Sequence, residues 1–443
     1  MTADIDTDGA PRLRRSIGTT QLALYALGSM VGSGIYGLIG KAAGQAGSAV
    51  WLSFLVALFA ALLTSLSYAS LGSRYPRAGG AAYMTDRAFG IPVLSFTVGL
   101  ALIASGLTSI ATQSKIFAEI LVDLTGISIA SPAVVAVGFL LIMTGVVFRG
   151  IRESIWVNVG CTIMEVSGLL LVIMSGMSYW GTVDYFQTPA EHGDATLAVV
   201  VLQASVLAFF AFIGFEDAIN VAEECKNPEV TIPLGLVIAT LAAAVLYIGV
   251  AITAVSVVPW QELAEAPSPL TEVMKRSAPS IPPWLMSFIA LFSVANTALV
   301  NYVTASRLIY GMANQRLLPE RFARVHRTRR TPYVAILALL VAMLLLLVIG
   351  NIADLAAATV LLLLVVFIAV NASLIVLKRK PGEVPGRFEI PIILPVIGLL
   401  ICGTLLAVRI ASSNWKAPAL AMAILLASVV AYVVLRASRK ELR

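Results

Sequence analysis

Long apolar runs dominate this chain, and they leave few folds open to it. Twelve can be read, at roughly 19–43, 48–72, 92–123, 132–149, 155–181, 196–222, 232–258, 283–312, 332–350, 352–377, 390–411 and 417–436. A helical crossing of a bilayer takes about 20 mainly apolar residues. The predicted fold class is an all-α polytopic membrane protein with 12 transmembrane helices. Composition agrees: 12% of residues are charged, against about 25% in soluble domains. The third and eighth runs exceed the required length and are expected to tilt or to project beyond the lipid.

Orientation follows from Lys and Arg, which collect in cytoplasmic segments. With the N-terminus inside, 23 of the 30 basic residues fall in inner segments and 5 in outer ones, while Lys115 and Arg307 lie within runs. Both termini are therefore expected in the cytoplasm, and the net charge of +6 reports topology rather than a nucleic-acid footprint. The basic stretch 316–330 borders a span and is expected to meet anionic lipid. The polar start carries no signal-peptide core. The reading is one membrane domain over 19–436, with cytoplasmic tails at 1–18 and 437–443, in the plasma or inner membrane.

Catalytic chemistry finds no constellation here. Cys161, Cys225 and Cys402 are far apart, and His192 and His326 are isolated. No Ser-His-Asp, CxxC or HExxH arrangement is present in the sequence. The chain is not expected to be an enzyme or to hold a metal or cofactor.

Two segments are unusual for membrane helices. The first run contains GSMVGSGIYG (28–37), although each interior Gly costs a helix roughly 1 kcal/mol relative to Ala. Close helix packing through small residues explains Gly28 and Gly32; a break lining a site explains the whole cluster. The sixth run reads FFAFIGFEDAINVAEE (209–224) and sets Glu216 and Asp217 just after Gly214, where a carboxylate is costly in lipid. Interrupted segments at matching places in two five-span halves point to an inverted-repeat transporter. Exposed N–H groups at a half-helix start suit a carboxylate, and exposed carbonyls suit an ammonium group. Together they describe an amino-acid zwitterion.

The same residues carry a family resemblance. GSMVGSGIYG, YPRAGGAAYMTDRAFG (75–90), FFAFIGFEDAINVAEECKNPEVTIPLGL (209–236) and SRLIYGMANQRLLPERFARVH (306–326) resemble, in order, motifs of the amino acid–polyamine–organocation family. The resemblance implies a LeuT-like fold: a 5+5 inverted repeat, over about 19–181 and 196–377, followed by helices 11 and 12 at about 390–436. It also implies secondary transport of amino acids or related amines. By matching position, the N–H groups around Gly32, Ser33 and Gly34 are expected to hold the substrate carboxylate. The carbonyls of Met30, Phe210, Ala211 and Ile213 are expected to receive its amino group. Phe210 and Phe212 are expected gates.

Glu165 departs from the resemblance, because several family members look to have Lys there. Coupling is expected to involve Glu165, Glu216 and the carbonyls of Gly28 and Val31. Glu165 can be read as a proton carrier, as a cation ligand, or as a helix lock bonded to Asn158, Thr162, Asn296 or Thr297. Arg307 is expected to anchor a membrane boundary, and Glu223, Glu224 and Lys226 to form a charged gate with the Arg74–Arg87 loop. The sequence thus predicts an amino acid permease working by alternating access. Its partners are a small-molecule amino acid, protons and membrane lipid. Proton-coupled uptake comes first; ion-independent exchange and cationic-amine or polyamine transport are the alternatives.

Overall fold

In the computed structural model, the structure describes residues 13, 15–125, 132–189, 197–266, 268–349, 352–412 and 416–441, and His192 lies outside them. The described residues are helical and form no strand; a single isolated bridge joins Ile17 to Cys225. The first apolar run is split into α1 (Thr19–Met30) and α2 (Ser33–Ala46). Then come α3 (Val50–Arg74), α4 (Gly80–Phe89), α5 (Pro92–Thr125), α6 (Pro132–Arg149) and α7 (Ile151–Gly176). The sixth run is also interrupted, between α8 (Leu197–Ala211) and the single turn α9 (Asp217–Asn220). The rest are α10 (Pro228–Val257), α11 (Trp260–Glu265), α12 (Pro269–Ser277), α13 (Trp284–Asn314), α14 (Tyr333–Ile349), α15 (Ile352–Arg379), α16 (Ile393–Ser412) and α17 (Lys416–Glu441).

Local chemistry explains many of these boundaries. Pro stands at the first position of α5, α6, α10 and α12, where its missing N–H and fixed φ cost nothing. The Gln21 side chain returns to the Gly18 N–H at 2.8 Å and satisfies a donor at the start of α1. Gly90 ends α4 at φ 63°, a left-handed cap that Gly adopts without steric cost.

Among the described residues, seven helices are long and apolar enough to cross a membrane, with further apolar helices of 10–17 residues at Leu197–Ala211, Tyr333–Leu347, Ile393–Val408 and Ala421–Val433. The helices α4, α11 and α12 fall between apolar runs; their amphipathic or polar composition hid them from a search for spans. The core is formed where α10 packs on α3 and α1, α13 on α5 and α7, and α2 on α8. The two interrupted segments lie inside this packing, with Met30, Val31, Ala211 and Phe212 all buried. Irregular backbone at this depth is held by protein on all sides, as an apolar solvent requires.

Candidate functional site

The first interruption occupies two residues. Val31 closes α1 by donating its N–H to the Leu27 carbonyl at 2.8 Å, and the extended Gly32 donates to Met30 at 2.7 Å before α2 starts at Ser33. The first N–H groups of α2 have no acceptor within the helix. Both expected roles of the glycine cluster are present. A Cβ on Gly28 would fall 2.0 Å from Thr162 Oγ1, and one on Gly34 would fall 3.0 Å from the Ala211 Cα. The cluster therefore serves close packing and a break together.

The second interruption pivots on Gly214. Its φ of 128° lies where L side chains are strained, and a Cβ there would sit 2.7 Å from the Ser29 backbone. Gly is the residue that both backbone and packing demand. The Gly214 N–H donates to Glu216 Oε2 at 2.8 Å. Asp217 starts α9 and accepts from Ser29 Oγ at 2.5 Å. A hydroxyl from α10 joins the two breaks: Tyr247 Oη lies 2.7 Å from the Met30 carbonyl oxygen and 2.9 Å from that of Ala211. The Met30 carbonyl thus has two partners, this hydroxyl and the Gly32 N–H.

Between the breaks lies a cavity of about 80 Å³. Its wall brings together Met30, Gly32, Gly34, Phe210 and Ile213 from the expected site, along with Glu216 and Asp217. From α5, α13 and α15 it adds residues the sequence reading missed, including Gln113, Asn301, Thr304 and Thr359. Phe210 lines the cavity, whereas Phe212 is fully buried with its ring edge-on to Tyr247 at 5.0 Å between centroids. Ser29, Tyr247, Asn301 and Thr304 each carry a polar tip within a long apolar run. Such groups in membrane helices commonly bond across helices, and that was the available signal.

Glu165 on α7 is fully buried, and neither carboxylate oxygen makes a hydrogen bond among the described residues. The side chains expected to lock it bond elsewhere. Asn158 Nδ2 donates to Asn296 Oδ1 at 2.7 Å, and Asn296 Nδ2 reaches Thr162 Oγ1 at 3.1 Å and the Gly28 carbonyl at 3.4 Å. The Val31 carbonyl accepts from Ser293 Oγ at 3.2 Å. Tyr36 donates to the Glu165 backbone carbonyl at 2.9 Å. An unsatisfied buried carboxyl is thus set beside an amide–hydroxyl cluster at the first break, in which Asn158 Oδ1 also lacks a partner among the described residues.

At the Arg-rich end of the bundle, two expectations change. Arg307 is no boundary anchor: it is fully buried and forms a two-pronged pair with the fully buried Glu224, both contacts at 3.2 Å. The length of α13, which continues to Asn314, carries the residue below the surface. The Glu224 carbonyl also accepts the N–H groups of Ser16 and Ile17 at 2.8 and 3.0 Å. Glu223 meets the 75–79 loop through the Ala78 N–H at 2.9 Å, but the arginines flanking that loop pair elsewhere. Arg74 grips Glu389 through Nε at 2.5 Å and a second nitrogen at 2.7 Å, and Arg87 pairs with Glu383 at 3.0 Å. Burial works to raise the Glu389 carboxyl, yet hydrogen bonds from Arg74, Lys378 and the Gly386 N–H, with the charge of Arg74, hold it at about 2.

The chain is similar over most of its length to known transporters. The branched-chain amino acid permease BcaP of Bacillus subtilis is 27% identical over 426 residues, covering 89% of this chain and 88% of that protein. The chloroplastic cationic amino acid transporter 9 of Arabidopsis thaliana is 32% identical over 353 residues, or 74% of this chain and 60% of that longer protein. Cationic amino acid transporter 4 of Mus musculus is 30% identical, covering 84% of this chain and 61% of that protein. These relatives are permeases and transporters, not enzymes. With a family model for amino acid permeases matching residues 17–435, across both breaks and the cavity between them, the chain belongs to the amino acid permease family.

Proposed function

We propose that this protein is a secondary active transporter that takes up amino acids across the plasma membrane by alternating access, driven by protons. The supporting observation is the pairing of the two interruptions around one buried cavity. The N–H groups that open α2 there have no acceptor within the helix and are indifferent to a ligand's side chain. In this reading the N–H groups of Gly32, Ser33 and Gly34 hold the substrate carboxylate, that of Gly32 giving up its bond to the Met30 carbonyl. The carbonyls of Met30, Phe210, Ala211 and Ile213 receive the ammonium, and Phe210 closes over it.

The interrupted helices count as the first and sixth of 12 spans, related by a 5+5 inverted repeat with two helices added. Both termini then lie in the cytoplasm. Glu165 carries the coupling proton, because it is buried without a hydrogen bond beside the first break. Glu216 and Asp217 in the cavity wall favour a second reading, in which the carried amino acid has a cationic side chain; two of the relatives above bear that substrate class in their names.

The test is uptake by purified protein in liposomes, with a panel of labelled neutral and cationic amino acids and polyamines. Empty vesicles should accumulate substrate, and more so with an inward proton gradient. Uptake confined to substrate-loaded vesicles and indifferent to the gradient would replace symport by exchange.

A further inference from the structure

At the Arg-rich end of the bundle, the segment between α13 and α14 folds into a built turn. The His326 N–H donates to the Thr331 carbonyl at 2.8 Å, and the Arg330 N–H to the His326 carbonyl at 3.0 Å. His326 Nδ1 accepts from the Arg329 N–H at 3.3 Å, and the imidazole ring is edge-on to Phe148 and Tyr333, with centroids 5.5 and 6.1 Å away. Thr331 Oγ1 ties the turn to the α6–α7 corner through the Phe148 carbonyl at 3.2 Å. This turn walls a cavity of about 520 Å³, lined by Glu320, Arg324, His326, Arg327 and Tyr333 among others.

The charge around it is one-sided. Arg324, Arg327 and Arg329 are exposed and form no ion pair among the described residues. Arg149 and Arg152 are exposed on either side of Gly150, where a Cβ would lie 3.6 Å from the Arg329 carbonyl oxygen. The acidic side chains nearby are Glu320 and Glu153.

An exposed apolar stripe starts at the cavity wall. Tyr333, in its wall, begins α14, and one, two and three turns further along the same face stand Leu337, Val341 and Leu345, each more than half exposed. Trp156, one turn beyond Arg152 on α7, is 59% exposed, and such aromatic residues favour the headgroup level of a membrane. A basic cradle at that level, continuous with an apolar stripe, matches a phosphate head with acyl chains attached. Soluble phosphate would use the cradle and leave the stripe unused.

We propose that this cradle is a binding site for an anionic glycerophospholipid. The phosphate sits among Arg324, Arg327 and the Arg149–Arg152 corner, and an acyl chain lies along Leu337, Val341 and Leu345. The site is separate from the substrate cavity and does not depend on what the protein transports.

The experiment uses the full chain in neutral detergent, titrated with phosphatidylglycerol, phosphatidylcholine or inorganic phosphate, and reads the melting temperature and bound lipid by native mass spectrometry. Phosphatidylglycerol should raise the melting temperature and remain bound, and the other two should not. Arg324→Ala and Arg327→Ala should each weaken phosphatidylglycerol binding about fivefold, the contribution of one basic residue near an anionic headgroup. Leu337→Ser with Val341→Ser should weaken it as well. Should either alanine variant fail to fold, Arg327→Gln at an exposed position carries the same test. Equal binding of the two lipids, or unchanged phosphatidylglycerol affinity in the arginine variants, would overturn the site. An equal response to inorganic phosphate would overturn its assignment to lipid.

Discussion

Ser29 and Asp217 join the two interrupted helices directly: the last turn of α1 donates a hydroxyl proton to the first residue of α9 at 2.5 Å. Both residues are buried. Ser29→Ala leaves a buried carboxylate short of a donor, at a cost of about 1–3 kcal/mol. The expected outcome is a lower melting temperature in detergent together with reduced uptake. Asp217→Asn keeps a group that can accept from Ser29 and should lose less stability. Thermal melts of the two variants, compared with their double combination, measure the coupling.

Gly214 is fixed by two independent constraints, a φ of 128° and the Ser29 backbone 2.7 Å from any added Cβ. Gly214→Ala should therefore be among the most damaging single-methyl additions in the chain. Neither the strain nor the overlap can relax without moving the first break, and strain of this kind alone costs about 1–3 kcal/mol. Gly145→Ala on α6 is the matched control, since nothing lies within 4 Å of its Cβ position. A helix gains stability from such a change. Expression and melting temperature should fall for Gly214→Ala and hold or rise for Gly145→Ala.

The breaks were legible in the sequence because they violate local rules: four Gly in ten residues at 28–37, and adjacent carboxylates inside an apolar run. Side-chain partners were not. Tyr247 reads as one aromatic among the apolar residues of its helix, and its tie to Met30 spans 217 positions. Arg307 reads as a boundary residue because hydropathy reports the edge of a run and cannot report what the far side of a helix meets. Glu165 was flagged by its burial cost. Its neighbours Asn158, Thr162 and Asn296 read as locks, whereas they bond to one another and to the Gly28 carbonyl.

The Arg307–Glu224 pair is inaccessible to solvent on both sides. Removing one partner strands the other charge, and such losses typically cost about 3–5 kcal/mol. Arg307→Met should sharply destabilise the protein. Arg307→Met combined with Glu224→Leu should recover much of that loss, because apolar replacements of both partners avoid the desolvation cost. A melting-temperature cycle over the four proteins checks this. Equal destabilisation by the single and double variants would assign the effect to packing rather than charge.

Glu389 contributes stability that acid removes. Its carboxyl is lowered from an ordinary 4.5 to about 2, so the folded protein binds this proton more weakly than the unfolded chain. Its contribution is complete above about pH 4.5 and declines as pH falls toward 2, where both states become protonated. Glu389→Gln should lower the melting temperature at pH 7. The gap to the unmodified protein should narrow progressively below pH 4.5. A gap that is constant with pH would remove the charge on Glu389 as its source.

Glu165 separates the two ways of driving transport. Its carboxylate is buried with no hydrogen bond among the described residues, while the Asn158 amide donates to Asn296 and that of Asn296 to Thr162 and the Gly28 carbonyl. Glu165→Gln retains size and polarity but cannot exchange a proton. If Glu165 couples protons to substrate, this variant should bind substrate and support exchange between loaded vesicles, yet fail to accumulate substrate in empty vesicles under an inward proton gradient. Retention of both activities with an unchanged pH profile would place the coupling proton elsewhere. Glu216 is then the next carboxylate to test, since it lines the cavity and is held by the Gly214 N–H. Loss of both activities with a lowered melting temperature would make Glu165 a structural residue, so the melt must accompany the uptake measurement.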